Sequence, residues 1–157
     1  MIRKIKVSGN TAIPLPDRLE GTHQLDLTED QYNRFTGSRF FVVENGEPRA
    51  ITAQEEADMN AADAAAAEAN RISALRNACL NYQSQQFRCD SNFYGLLMAA
   101  KASGAAGVKS AACLTQLDLL WSLYEAMKSD SELEEDFSPA GVIPHSFDEV
   151  RTEIEAV

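Results

Sequence analysis

Apolar and basic residues alternate at the start of the chain, with Ile5 and Val7 on one side and Lys4 and Lys6 on the other, before Ser8-Gly9-Asn10 breaks the run. Successive side chains of an extended chain point to opposite faces, so this period of two predicts a half-buried strand over residues 1–7. Ile13-Pro14-Leu15-Pro16 is extended as well, because a proline disfavours the helical region for the residue before it. A shorter alternation over residues 23–27, centred on Leu25, predicts another brief strand. Thr28 followed by Gln31 matches a capping box, in which each side chain takes one of the free amides at a helix start. It predicts about two turns over residues 29–35, ended by Gly37. Residues 39–44 and 47–51 flank Asn45-Gly46, and that pair supplies the two positive φ angles of a tight β-hairpin turn.

The period changes at Thr52. Residues 52–82 contain no glycine and no proline, are rich in alanine, and open with a second capping box from Thr52 and Glu55. Ala61, Ala65, Ile72, Leu75, Cys79 and Tyr82 recur at spacings of three, four and seven, so a seam runs along one helix, small at its beginning and large at its end. The front half is too poor in large apolar side chains for an ordinary core helix. Two arrangements satisfy it: a coiled coil with copies of itself, or a connecting helix that leans on its own chain.

Beyond residue 88 the pattern is helical. Asp90 or Ser91 can cap a helix bearing Phe93, Leu96, Leu97 and Ala100, which Gly104 and Gly107 stop. Thr115 and Asp118 predict a third capping box, leading a helix with Leu117, Leu120, Trp121, Tyr124 and Met127 on one face. A Pro/Gly loop over residues 138–144 follows, and Ser146 then caps a last helix with Phe147, Val150 and Ile154. The expected fold class is α+β: a β-rich module over residues 1–51, a long Ala-rich connecting helix over 52–82 and a small helical module over 83–157. A β-rich module this short is marginal alone and calls for a partner. The residues expected to meet one are Phe40, Phe41 and Val43 of the hairpin and Ala61 and Ala65 of the long helix.

With 157 residues, 45% of them apolar and 24% charged, the chain has the composition of an ordinary folded protein. No stretch of about 18 apolar residues could span a bilayer, and Met1-Ile2-Arg3-Lys4 does not begin a secretion signal, so no membrane partner and a cytoplasmic location are expected. The net charge is −10, and its placement says more than its size. Residues 1–50 balance seven acids with seven bases, residues 51–124 hold seven against five, and residues 125–157 hold ten against two. Such a chain repels nucleic-acid phosphate, so no nucleic-acid partner is expected. Solubility explains the acidic end, and a basic partner surface is the other use for it.

The residue types that carry chemistry form no recognisable site. Cys89 beside Asp90, with His145 as base, would be the only nucleophile arrangement, and no signature surrounds it. Cys79, Cys89 and Cys113 are odd in number and lack CxxC spacing, which argues against disulfides and zinc alike and reads as buried thiols. The acids of residues 130–136 alternate as in a calcium loop, but the turn glycine is missing and Gly141 stands at the twelfth position. No catalytic residue, cofactor or metal is therefore expected. Trp121 and Tyr124 could anchor a partner, but on an amphipathic stripe they read as core.

The order of elements, together with Gln31-Tyr32-Asn33-Arg34-Phe35, Gln86-Phe87-Arg88-Cys89-Asp90-Ser91 and Leu114-Thr115-Gln116-Leu117-Asp118-Leu119-Leu120, resembles tailed-phage tail-fibre assembly proteins with a carboxy-terminal module of the DUF4376 kind. The resemblance implies a non-enzymatic chaperone or fibre-associated protein that binds the phage tail-fibre polypeptide or another tail protein. It would act in the host cytoplasm during assembly or remain in the virion. Two other classes are consistent with the same parts. One is a permanent structural component such as a tail or baseplate adaptor, forming a homo-oligomer through the long helix. The other is an acidic inhibitor of a basic host protein.

Overall fold

The computed structural model describes residues 1–16, 20 and 23–156, which divide into two compact units, Met1–Ala66 and Ala67–Val157. The protein is α+β, with a small antiparallel sheet followed by a long helix and further helices.

In the first unit the described strands are β1 (Ile2–Ser8), β2 (Thr11–Pro14), β3 (His23–Asp26), β4 (Phe41–Glu44) and β5 (Glu47–Ala50), in the order β3-β1-β2-β4-β5. All neighbours are antiparallel, and the register sets Ile5 opposite Pro14 on one side and His23 on the other. The two outer strands curl towards each other, bringing His23 Nε2 of β3 within 3.9 Å of Glu47 Oε2 of β5. Inside the curl lies a small core of Ile5, Ala12, Leu27, Phe35, Phe41 and Ile51. Helix α1 (Glu29–Arg34) starts in the expected Thr28–Gln31 capping box. Gly37 does not end it: Phe35 is its C-cap, and Gly37 instead precedes a 3-10 turn, Ser38–Phe40. That turn also takes Arg39 and Phe40 out of the strand expected there, because Phe40 folds back to stack on Phe35 at 4.8 Å. The hairpin turn is as expected, with φ of 53° at Asn45 and 85° at Gly46.

Helix α2 (Ala53–Gln85) runs through both units. Its first turns are held to the β-rich unit by arginines more than by apolar contact. Arg49 of β5 makes a fork onto both oxygens of Glu55, at 2.8 and 2.9 Å, and a third bond of 2.7 Å to Glu44. Arg34 pairs with Glu56, and Arg39 with Asp63 and the Met59 sulfur. A bidentate arginine–carboxylate pair fixes direction as well as distance. Glu55 is also the partner of Thr52 in the capping box, with the Thr52 amide 2.7 Å from its carboxylate.

The second unit packs the last turns of α2 with α3 (Ser91–Ser103), α4 (Val108–Ser129) and α5 (Phe147–Glu155) around Leu97, Leu117, Leu120 and Val150. Asp90, not Ser91, caps α3, its Oδ1 accepting the Asn92 and Phe93 amides, and Gly104 closes the helix at φ 73°. The capping box expected at Thr115 and Asp118 does not form. Helix α4 begins seven residues earlier than Thr115 and runs on without a break, and Thr115 Oγ1 donates instead to the Ala111 carbonyl at 3.0 Å, a common habit of a threonine inside a helix.

What caps α4 comes from elsewhere in the unit. Glu153 of α5 accepts the Lys109 and Ser110 amides, both at 2.9 Å, and the Ser110 hydroxyl at 3.0 Å. At the other end Arg71 of α2, held by Glu68, donates to the Met127 carbonyl at 3.0 Å and the Lys128 carbonyl at 2.8 Å. Gly107 leaves room for the first of these caps, since a Cβ there would stand 2.4 Å from the Glu153 carboxyl carbon.

Leu120 is completely buried. Leu120→Ala is expected to destabilise the protein by about 2–5 kcal/mol, read from chemical denaturation followed by circular dichroism. Acid acts on the first unit through Glu55, whose carboxyl is lowered from 4.5 to about 2 by the Arg49 guanidinium and then by the Thr52 amide. A lowered carboxyl stabilises the fold above its unfolded value and ceases to do so as pH falls through its folded one. Stability from this pair is therefore complete above pH 4.5 and lost towards pH 2. Glu55→Gln should flatten the pH dependence of the melting temperature in that window.

Candidate functional site

The thiols expected as nucleophile candidates, and Asp90 beside Cys89, are committed to structure. Cys79, Cys89 and Cys113 are free thiols with at most 1% exposure. Burial pushes the Cys89 thiol up to about 12, with help from the neighbouring Asp90 charge, and the Cys79 thiol up to about 11. Cys113 Sγ meets the backbone carbonyl of His145 at 3.8 Å, while the imidazole Nδ1 lies 4.0 Å from Glu149. Asp90 is occupied by two amides of α3. In the acidic run, Asp130 accepts the Glu132 amide and Asp136 the Ser138 amide, and the side chains between them face solvent. Among the described residues no group of three or more histidines, cysteines or acids is placed to hold a metal ion, and no helix is long and apolar enough to cross a membrane.

The hairpin residues expected at a partner surface point the other way. Phe41 is 4% exposed and belongs to the core, with its ring edge-on to Phe35. Val43, two positions along, shares its face and packs against the same cluster, and Phe40 is half-buried in the aromatic stack. Pairing turns them inward: Phe41 lies opposite Ala50 and Val43 opposite Pro48, leaving Val42 and Glu44 for the outer side. Ala61 and Ala65 are exposed, as is every residue over 60–70.

The register assigns a different set to the outer face of the sheet. Lys6 lies opposite Ile13 and Thr11 opposite Val42, so Ile2, Lys4, Lys6, Ile13 and Val42 share that face. Ile2 is 55% exposed and Ile13 40%. Asp26 pairs with the amino terminus and Glu44 with Arg49, whereas Lys4 and Lys6 make no ion pair among the described residues. This face joins exposed apolar surface to lysines that make no ion pair among the described residues, and it is the candidate contact surface of this unit. The strand alternation carries the signal for Lys4 and Lys6, but Ile13 joins them only through a pairing register that the sequence does not display.

Comparison with protein-family models, curated proteins and solved structures finds no match for this chain.

The thiol burial has a direct readout. In the native protein at pH 8, the three cysteines should react with an aromatic disulfide reagent at least about a hundredfold more slowly than after denaturation, as expected for buried thiols with raised pKa. A single fast-reacting thiol assigned to Cys89 would restore the nucleophile reading.

Proposed function

We propose that this chain is a non-enzymatic assembly protein of a tailed phage, binding the tail-fibre polypeptide in the host cytoplasm while the fibre folds or trimerises. The observation that carries the binding role is the outer face of the sheet, where Ile2 and Ile13 stand exposed beside Lys4 and Lys6, which make no ion pair among the described residues. The commitment of all three thiols to the interior supports a role in binding rather than nucleophilic catalysis. The tail-fibre partner rests on the resemblance of element order and of the quoted segments, and the arginine-held start of α2 suits a unit that must keep its outer face presented while it engages a larger chain.

A permanent place in the particle, as a tail or baseplate adaptor, is the second reading. It is favoured by the bare, alanine-rich run over residues 60–70, which includes Ala61 and Ala65 and would pack in a homo-oligomer of α2 helices.

Co-expression with the tail-fibre polypeptide of the same phage separates the two. The assembly reading expects soluble fibre trimers only when this chain is present, and a loss of fibre binding of about tenfold or more in the double variant Lys6→Glu, Ile13→Asp. Trimers forming equally well without the chain would overturn it. Recovery of the chain from purified particles, with a trimer or dimer at sedimentation equilibrium, supports the adaptor instead.

A further inference from the structure

A groove of about 490 Å³ lies beside the last turns of α2 in the helical unit, within the roughly 300–1,000 Å³ of a typical binding cleft. Asn81, Gln85 and Gln86 of α2 line one side of it, and Glu135 and Asp136, from the segment before the 3-10 turn Ser138–Ala140, line the other. Its base is aromatic, since Phe137 is buried, Tyr82 is half-buried and their ring centroids stand 5.9 Å apart.

The charge lining this groove has one sign. Residues 130–138 hold five acids and no base. Glu135 makes no ion pair or hydrogen bond among the described residues, and the Ser138 hydroxyl and amide hold the Asp136 carboxyl below the usual carboxylate range, so both are ionised. The arginines of α2 do not answer these acids. Arg71 is spent on Glu68 and on the Met127 and Lys128 carbonyls, and Arg76, about 200° around the helix from Ala78, leaves from the opposite side. The carboxamides of Asn81, Gln85 and Gln86 make no hydrogen bond among the described residues either. A carboxamide both donates and accepts, as a peptide group does, so that side of the groove suits a polypeptide backbone, whereas the carboxylates opposite and the Tyr82 ring suit a cation.

We propose that this groove docks a basic segment of a partner polypeptide, with an arginine or lysine side chain held at Tyr82 by Glu135 and Asp136 and the segment's backbone against the carboxamides of Asn81, Gln85 and Gln86. The site lies within the helical unit and does not depend on the fibre reading. The acids of residues 130–138 draw a basic chain in from a distance, and the groove fixes where it settles.

The test uses the full chain, isotope-labelled for NMR, titrated with the peptide acetyl-Gly-Arg-Leu-Arg-Gly-amide, with its counterpart carrying glutamate in place of both arginines, and with spermidine. The basic peptide should shift the side-chain amide signals of Asn81, Gln85 and Gln86 and the ring signals of Tyr82 saturably, with Kd on the order of 1 mM or tighter. The glutamate peptide should not, and spermidine, which has no peptide groups, should bind about tenfold more weakly. Glu135→Gln should weaken the basic peptide about threefold or more, whereas Glu132→Gln, which removes the same charge outside the groove, should change its Kd less than about 1.5-fold. Neither glutamate side chain has an ion pair or hydrogen bond among the described residues, so both variants should melt as the parent does. Equal binding of the two peptides, spermidine binding as tightly as the basic peptide, or equal effects of Glu135→Gln and Glu132→Gln would overturn the proposal.

Discussion

Helix α4 is held at its two ends by opposite charges from two other helices. The glutamate Glu153 of α5 sits on the amides of Lys109 and Ser110, and the guanidinium of Arg71 from α2 sits on the carbonyls of Met127 and Lys128. A helix leaves free N–H groups and partial positive charge at its start, and free C=O groups and partial negative charge at its end, so each cap meets both a hydrogen-bonding need and a field. Helix α4 carries Leu117, Leu120, Tyr124 and Met127 into the core of its unit, and the caps fix which neighbours those side chains meet. The amides of Lys109 and Ser110 in turn hold the Glu153 carboxyl below the usual carboxylate range, so the bond is a property of the ionised form. Ser110, fully buried, finds its hydroxyl partners in the same carboxylate and in the Gly107 carbonyl.

The β-rich unit uses the same device with a different geometry. Arg34, Arg39 and Arg49 reach Glu56, Asp63 and Glu55 on the first turns of α2, while Met59 supplies the apolar contact with the small core. These charges are spent internally, which explains how a segment so poor in large apolar residues can be part of a folded unit. It also leaves a short inventory of uncommitted cations. Lys4 and Lys6 on the outer sheet face belong to it, making no ion pair among the described residues. The proposed binding face of the sheet grows from that contrast between charges used to build the fold and charges left over.

Much of the fold can be read from local pattern where the cause is local. The capping boxes at Thr28, Thr52 and Ser146 join residues three apart, and the Asn45-Gly46 turn needs only its own backbone, so all four are visible in the chain. The start of α4 is not, because its cap lies 43 to 44 residues away in Glu153, whereas Thr115 and Asp118 imitate a start that the preceding turn makes unnecessary. The candidate site suffered from the same limit. Phe41 and Val43 resemble surface residues of a hairpin in isolation, and the antiparallel pairing that turns them inward becomes evident only once β5 is placed beside β4.

Amide hydrogen exchange in a Glu153→Gln variant tests the two-ended hold on α4 most directly. A neutral amide side chain keeps the size of Glu153 but has one acceptor oxygen instead of two charged ones. The account predicts that the amides of Lys109 and Ser110 lose most of their protection, and that α5 loses protection with them, while the amides of α1 and the sheet exchange as before. Unchanged protection at Lys109 and Ser110 would contradict it, because the start of α4 would then be held by something other than Glu153.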